Sequence, residues 1–311
     1  MGESMKRLLF SMVAVLSASS ALASNSTTDP PAVVPGPPAT IADMVANRSA
    51  MRPRPLVAVT PGGYGFTDQL LVSVAINASG KNNTFFRTDY FLVNGRNATQ
   101  EILVGFIAAG VTNVGQTAAR FQLNANGAYA ISDFLGTGTG RLNKTGVGSL
   151  FITGVLPGTN TNDTNARLYG SARIWTAEPG STGTNSFTEW AVDPRTIHGD
   201  FNGIAVGGRQ NADFRANFGL INLDATRSRT FTAMFFGAST ISMTVTLPPL
   251  SMAELAVPAI TPTDTGYFLF GVFPNDTDDF FWNGFVVTAD NLTGDAWLSP
   301  VALYPSTVVE Y

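Results

Sequence analysis

The chain has 311 residues, of which 44% are hydrophobic and only 13% are charged, and its formal net charge is −4. A weakly acidic chain without a basic stripe binds nucleic acid and anionic lipid surfaces poorly, because both need clustered lysine and arginine. The low charge favours many short strands over a helical bundle, which needs charged outer faces. Because the chain has no cysteine, it forms no disulfide and packing has to stabilise it.

Residues 1–23 have the composition of a secretory signal peptide. Lys6 and Arg7 precede an apolar run over residues 8–16, and a small-x-small cleavage site follows at residues 21–23. The apolar run is much shorter than the roughly 20 residues that span a bilayer, which argues against the alternative of an uncleaved anchor. We therefore expect an exported protein that is periplasmic, on the cell surface or extracellular, with no membrane span in the mature chain.

Residues 24–55 hold seven prolines. Proline removes backbone donors and favours extended conformations, so we expect a Pro-rich, largely disordered linker. Within it, residues 40–46 have the pattern of one or two helical turns, with Thr40 as N-cap and Asp43 three positions later. An unstructured spacer is the alternative for these residues.

From Leu56 onward, apolar and polar residues alternate with a period of two. The apolar residues of 70–76 and of 241–247 each fall on one face of an extended chain. Clusters of glycine, proline, asparagine and aspartate separate these runs at short intervals. The pattern predicts antiparallel strands that each bury one face, as in a β-sandwich.

Three stretches of the chain recur in the same order further along, which indicates an internal duplication. The matching stretches are 86–94 with 214–222, 150–157 with 267–274, and 174–178 with 286–290. We therefore predict one β-sandwich unit at 56–192 and a second at 199–305. A joint at 193–198 connects them and a short tail at 306–311 follows.

The Phe-Arg block that begins at Phe86 and again at Phe214, with the later segment 290–295, resembles a family of uncharacterised secreted bacterial proteins. The resemblance covers most of residues 65–303. It implies an all-β fold of two tandem immunoglobulin-like antiparallel β-sandwich domains, and it implies no catalytic residue and no cofactor. The chain departs from the family pattern in the Asn- and Thr-rich loop at 159–165.

The repeated block contains two polar pairs with expected roles. Arg87 and Arg215 are expected to fold over a sheet edge and bond a carbonyl or a carboxylate, with ligand contact as the alternative. Asn94 and Asn222 end their strands, where an amide side chain can satisfy the backbone groups of a turn.

Residues suited to catalysis are few. The lone histidine, His198, lies in the joint, where a solvated linker residue is expected. A glycosidase needs two carboxylates facing each other across a cleft. The candidates near strand ends are Glu178, Glu189, Asp290 and Asp295. Glu178 and Asp290 fall at equivalent positions of the repeat, which favours a shared structural turn.

The loop at residues 275–279 concentrates oxygen ligands of the kind that bind calcium. Its carboxylates are Asp276, Asp278 and Asp279. The loop lacks the spacing and the glycine of an EF-hand, so a solvated acidic turn is the simpler interpretation.

The four tryptophans fall in strands or at strand ends. They are Trp175, Trp190, Trp282 and Trp297. Aromatic side chains dominate sandwich cores, so we expect core anchors, and a sugar-stacking platform is the alternative.

These observations favour an exported structural or adhesion-like protein that binds an unknown protein or glycan at the cell surface, without catalysis. A carbohydrate-binding module is the second hypothesis. A secreted glycoside hydrolase that uses paired carboxylates is the third.

Overall fold

The computed structural model describes residues 26–27, 30–46, 65–80, 84–177, 182–196, 199, 201–259, 266–276 and 278–304. Strands account for 58% and helix for 3%, which confirms the all-β expectation. Every named strand pair is antiparallel except the short pair of the first strand with the seventh. The expected signal peptide, Glu178, His198 and the tail at 306–311 lie outside the described residues.

The described part of the N-terminal half contains ten strands and one short helix. They are β1 (Ser26–Thr27), β2 (Ala32–Val33), α1 (Ile41–Ala46), β3 (Gln69–Ser79), β4 (Phe85–Asn94), β5 (Gln100–Ala108), β6 (Ala119–Leu123), β7 (Ala128–Ile131), β8 (Gly146–Val155), β9 (Leu168–Ala177) and β10 (Thr184–Trp190). The strands form two facing layers. Layer 1 has the order β1-β7-β4-β9-β10, and layer 2 has the order β3-β8-β5-β6-β2.

The C-terminal half contains nine described strands in two further layers. They are β11 (Asn202–Arg209), β12 (Phe214–Asn222), β13 (Arg229–Phe236), β14 (Thr240–Leu247), β15 (Ser251–Ala256), β16 (Tyr267–Pro274), β17 (Trp282–Asp290), β18 (Ala296–Pro300) and β19 (Ala302–Tyr304). Layer 3 has the order β15-β12-β17-β18, and layer 4 has the order β14-β13-β16-β11-β19.

The strand order of β3–β10 repeats in β11–β18. Layers 1 and 3 share the order β7-β4-β9-β10 and β15-β12-β17-β18, while layers 2 and 4 share β6-β5-β8-β3 and β14-β13-β16-β11. The equivalent strands β3 and β11 each carry a register shift against their partner, between Val72 and Ala75 in β3 and between Ala205 and Gly208 in β11. This shared irregularity fixes which residues of the two halves correspond.

Two of the three sequence matches are out of register with the strand pairing. The first match is in register. Asn94 ends β4, which pairs with β9, and Asn222 ends β12, which pairs with β17. The second match is not in register. When β3 and β11 are aligned on their register shifts, Leu150 corresponds to Phe270, three residues beyond the predicted Tyr267. An odd shift moves a side chain to the other face of its strand, so the second match put core residues opposite surface residues. The third match is two residues out, which keeps the face.

Each half has its own aromatic core between its two layers. In the N-terminal half the ring of Phe134 lies 5.4 Å from Tyr90 and 6.1 Å from Phe121. In the C-terminal half Phe218 of layer 3 lies 5.1 Å from Phe235 and 5.3 Å from Phe270, both in layer 4. These contacts show which face of each strand points into its own half.

The two halves also pack on each other, layer 2 against layer 3. Ile221, Met252 and Phe285 of layer 3 belong to the same buried cluster as the residues of layer 2. The Ser149 hydroxyl lies 3.1 Å from the Met252 sulfur, and the Gly110 amide donates to the Met252 carbonyl at 2.8 Å. The protein is therefore a stack of four layers in numerical order.

Part of the expected linker is folded, so the expectation of disorder does not hold for residues 32–46. Strand β2 pairs with β6, and α1 has the expected cap, in which Thr40 and Asp43 exchange hydrogen bonds of 2.8 and 3.2 Å. Ile41 and Met44 of α1 are buried above Gly105 on the outer face of layer 2. The composition does not reveal this folded segment, because prolines lie on both sides of a short apolar stretch that covers a sheet.

Among the described residues, no helix has the length and apolar character needed to cross a membrane, since α1 has only six residues.

Candidate functional site

The outer face of layer 1 carries three exposed aromatic side chains and one half-buried one, Tyr169, which we together call the aromatic patch: Phe66, Phe91, Tyr169 and Trp190. The ring centroid of Tyr169 lies 6.0 Å from Phe66 and 5.7 Å from Trp190. Phe66, Phe91 and Trp190 are 39%, 41% and 44% exposed. Large exposed apolar groups in one place indicate an interaction surface, whereas single ones do not.

Strand pairing explains why these rings share a face. Phe91 of β4 and Trp190 of β10 both lie opposite Ser171 of β9, one on each side. The alternation of a strand turns Tyr90 and Leu92 into the core and leaves Phe91 outside. The small side chain at Ser171 leaves room between the two larger ones.

Charged groups continue the same face beyond the aromatic patch. The guanidinium groups of Arg87 and Arg173 lie 5.5 and 5.9 Å from the ring centroid of Trp175. Arg173 also lies 3.9 Å from Asp89, and Arg87 lies 3.9 Å from Asp133. This face offers ring surfaces and paired charges, which suit docking and stacking.

A small pocket lies where the edge strand β10 approaches β18. Its volume is about 180 Å³. Its lining residues are Ser73, Thr188, Glu189, Trp190, Val192, Thr196, Asn283, Leu298, Pro300 and Val301. Ligand pockets are usually larger, about 300–1,000 Å³. Glu189 supplies the one carboxylate of this lining.

The Glu189 carboxylate binds backbone. It accepts the Ser73 amide, and it accepts the Val74 amide at 3.0 Å. These two amides belong to the register shift of β3, where the ladder with β8 leaves them unpaired. Burial raises the pKa of Glu189 to about 8, and the two amide donors offset part of that rise. Glu189 therefore stabilises an irregular strand, and each of its two carboxyl oxygens already accepts a backbone hydrogen bond.

The other candidate acids are elsewhere. Asp290 ends β17 and accepts the amides of Leu292 and Thr293 at 2.7 and 2.9 Å, which lowers its pKa. Asp295 follows in the same turn and accepts the Asp290 amide through its carbonyl at 2.8 Å. Asp290 thus caps a hairpin, and neither residue is part of the pocket that contains Glu189.

Arginine occupies the oxygen-rich loop that was considered for calcium. The buried guanidinium of Arg229 lies 2.5 Å from Asp278, 2.5 Å from Asp224 and 3.4 Å from Asp276. It holds the pKa of Asp278 at about 2. A positive charge at this place repels a cation, and the described residues contain no cluster of three or more acidic or histidine side chains suited to a metal ion.

The four tryptophans occupy four different environments. Trp282 is fully buried in the C-terminal core, and Trp297 donates its indole N–H to the Gly207 carbonyl at 3.0 Å. Trp175 is half-buried between two arginines, and Trp190 is exposed in the aromatic patch. They do not form one sugar-binding platform.

The repeated polar pairs act on turns and edges. The Asn94 amide donates to the carbonyls of Ala98 and Asn124, both at 2.8 Å, and Asn222 bonds the equivalent turn. Arg87 reaches the carboxylate of Asp133, whereas Arg215 donates to the Asn291 amide oxygen at 2.9 Å.

Sequence reasoning missed Phe66, Phe91 and Tyr169. The signal for Phe91 was present: it interrupts an inward-facing series, so strand alternation alone places it on the outer face. Phe66 and Tyr169 join it only through pairing with distant parts of the chain.

Comparison with protein-family models, with curated proteins and with solved structures finds no match to this chain. The resemblance to secreted tandem-domain proteins therefore stays a prediction.

Proposed function

We propose that this protein is an exported structural or adhesion-like protein that binds its partner through an outer sheet face and performs no catalysis. The exposed aromatic patch on layer 1 is the observation that carries the proposal. The absence of catalysis in this proposal is supported by the small size of the pocket and by the contacts of three carboxylates. Glu189 and Asp290 bind backbone amides, and Asp278 binds arginine.

We further propose that the two halves are tandem immunoglobulin-like β-sandwiches. In the N-terminal half β4 pairs with β7 and β5 with β8, and in the C-terminal half β12 pairs with β15 and β13 with β16, as in the centre of an immunoglobulin sandwich. The edges differ, because β3 pairs with β8 and β9 with β4, and likewise β11 pairs with β16 and β17 with β12. The likeness thus concerns the central strands and the two-layer architecture.

A rigid stack suits an adhesion-like role. The layer 2–layer 3 contact is apolar and buried, so the two halves are held together without a flexible joint. Such a body presents the aromatic patch at one end in a fixed orientation. Preorganisation of this kind reduces the entropy lost on binding.

The test is co-sedimentation of the purified full chain with isolated cell envelopes of the source organism. We expect the chain to bind, and we expect the double variant Tyr169→Ala/Trp190→Ala to lose at least tenfold in affinity. Leu292→Ala is the control, since Leu292 is 94% exposed and lies in the turn between β17 and β18, away from both outer sheet faces. No binding by the unaltered chain, or equal binding by the double variant, would overturn the proposal.

Carbohydrate binding is the second candidate, favoured by the contact of Tyr169 with Trp190. Sugar rings stack on such side chains, and Trp190 is the one tryptophan among those described with large exposure. Polysaccharides that bind there would change its fluorescence, and Trp190→Phe would remove the change while leaving the other three tryptophans. A broad panel without any change would leave a protein partner as the occupant.

A further inference from the structure

The outer face of layer 4 carries a half-buried apolar surface that nothing in the described chain covers. Its residues are Ile204, Met234, Phe236, Leu269 and Phe273. The rings of Phe236 and Phe273 lean towards each other over Gly271, whose missing side chain leaves them room. This is one contiguous surface, because Gly271 pairs with both Ile204 and Met234.

In the N-terminal half the equivalent surface is covered. The register shift makes Ile204 correspond to Leu71 and Leu269 to Ser149, and Phe236 corresponds to Ile107. Leu71, Ile107 and Ser149 have no exposed surface. They lie between layers 2 and 3, where layer 3 and α1 exclude water from them.

The outer face of layer 3, which covers layer 2, also has an equivalent in the N-terminal half, namely the outer face of layer 1. Layer 3 covers layer 2 with Ile221 and with Phe285, whose ring lies over Gly219 directly opposite. In layer 1 the corresponding residues are Val93 for Ile221, Phe91 for Gly219 and Ser171 for Phe285.

The ring and the small residue of this cross-strand pair have changed places between layers 3 and 1. Phe285 faces Gly219 in layer 3, and Phe91 faces Ser171 in layer 1. A swap that conserves volume keeps the shape of a packed surface. Each face therefore carries one aromatic ring at the same position, buried in layer 3 and 41% exposed in layer 1 at Phe91.

We propose that copies of this chain stack end to end, with the outer face of layer 4 of one copy on the outer face of layer 1 of the next. The contact reproduces the one that layer 2 makes with layer 3 inside the chain. It joins two different faces, so each added copy presents a new free face for the next copy. This goes beyond the proposed function by naming a second copy as the occupant of both outer faces.

Charge does not oppose this contact. Arg173 and Asp89 on layer 1 lie 3.9 Å apart and neutralise each other. The outer face of layer 4 is bordered by threonines, including Thr230 and Thr246, whose hydroxyls lie 2.9 Å apart. Docking therefore buries apolar surface and brings in the Arg173–Asp89 pair as a neutral unit, while the Arg167 guanidinium lies 5.7 Å from the ring centroid of Phe66.

The first test is analytical ultracentrifugation of the full mature chain over a dilution series, with electron microscopy of the most concentrated sample. We expect the average mass to rise continuously with concentration and linear stacks to appear. A chain that stays monomeric up to its solubility limit overturns the proposal.

The second test uses two variants that each block one face. Phe91→Asp blocks layer 1 and Leu269→Asp blocks layer 4, so each variant alone is expected to be monomeric. Leu269 is chosen because it corresponds to Ser149, which contacts Met252 of layer 3. Mixed in equal amounts, they are expected to form a dimer and nothing larger, because one free face of each kind remains. Leu292→Asp, at a 94% exposed turn position, is the control and is expected to stack like the unaltered chain.

Circular dichroism of both variants shows whether they are folded, and dimer formation in the mixture also requires folded partners. A mixture that stays monomeric, or that grows beyond a dimer, contradicts the proposed pairing of faces. A monomeric chain that still binds cell envelopes through Tyr169 and Trp190 would refute the stacking while leaving the proposed function in place.

Discussion

Glu189 shows how an irregular backbone determines the role of an acid. The register shift of β3 leaves the amides of Ser73 and Val74 without strand partners, and the Glu189 carboxylate accepts both. A buried carboxylate near a pocket suggests catalysis when seen alone. Here the same burial is explained by backbone amides that need an acceptor.

The raised pKa of Glu189 predicts a stability that depends on pH. Its pKa rises from the ordinary 4.5 to about 8 in the folded protein. The folded state therefore keeps a proton that the unfolded chain loses, and the free energy of unfolding falls as pH rises through this window. Urea unfolding of the unaltered chain should show a loss on the order of a few kcal/mol between these limits.

Glu189→Gln isolates that effect because it cannot ionise. We expect the variant to be less stable at low pH, where it turns an amide donor towards backbone amides, and to show a flatter pH profile. Parallel profiles for the two proteins would contradict the assignment of the pH dependence to Glu189.

Arg229 is a second residue whose role depends on distant partners. Breaking a buried ion pair by removing one partner costs about 3–5 kcal/mol. We expect Arg229→Met to lower the free energy of unfolding by about 3 kcal/mol, the lower end of that range, because the buried Asp224 loses its closest cation while the partly exposed Asp278 keeps Arg227.

Arg227→Met is the matched control. Its side chain is 60% exposed although it also reaches Asp278, so we expect a change below about 1 kcal/mol in the same urea titration. Equal effects of the two variants would show that burial of Arg229 is unimportant. The sequence alone favoured a solvated acidic turn here and left calcium as the alternative, because composition gives the oxygens and does not show which cation faces them.

At the scale of elements, the alternation of apolar and polar residues predicted the strands well. The alignment of the internal repeats predicted the correspondence between strands of the two halves poorly. The apolar positions of 70–76 and 241–247 did become β3 and β14. The match of 150–157 with 267–274 failed by three residues, because shared phenylalanines and glycines outweighed the in–out pattern. The register shift decides the matter. In β11 it does have a sequence signal, because it contains the glycine pair 207–208 and Gly207 has a positive φ of 85°, whereas the shift in β3 falls at Ser73 and Val74 and has none.

Helix α1 carries a prediction about the segment expected to be linker. Met44 is 1% exposed and covers layer 2, so Met44→Ala should destabilise the full chain by about 2–5 kcal/mol. Val33→Ala, at a 61% exposed position of the same segment, should change stability by less than about 0.5 kcal/mol. Urea unfolding measures both changes. A small effect of Met44→Ala would contradict the packing of α1 on layer 2 and favour the alternative of an unstructured spacer.

At the scale of the whole molecule, one sequence signal was available and unused. Residues 102–107 of β5 include five large apolar side chains without alternation, which is typical of a strand buried on both faces. All six are buried, against layer 1 on one side and against α1 and the C-terminal half on the other. A two-layer sandwich alone does not require that pattern, so it indicated a third layer.

The aromatic patch could not be predicted as a site from the sequence. Tyr169 and Trp190 meet through the pairing of β9 with β10, and Phe66 joins them through the bridge between Thr67 and Leu168. The four-layer stack likewise depends on which sheet faces the other half, and strand patterns do not encode that choice.

The packing of layer 2 on layer 3 is the central claim, and a disulfide tests it directly because the chain has no cysteine of its own. Ala109 and Met252 are bridge partners across the two halves. Neighbouring strands lie about 4.8 Å apart, within the Cα separations that a disulfide spans. We expect Ala109→Cys/Met252→Cys to form an intramolecular disulfide under mild oxidation, seen as a mass loss of about two hydrogens. Ala109→Cys/Val206→Cys, with its second position 65% exposed in layer 4, should not. Free thiols in the first variant after oxidation of the folded protein would contradict the stack.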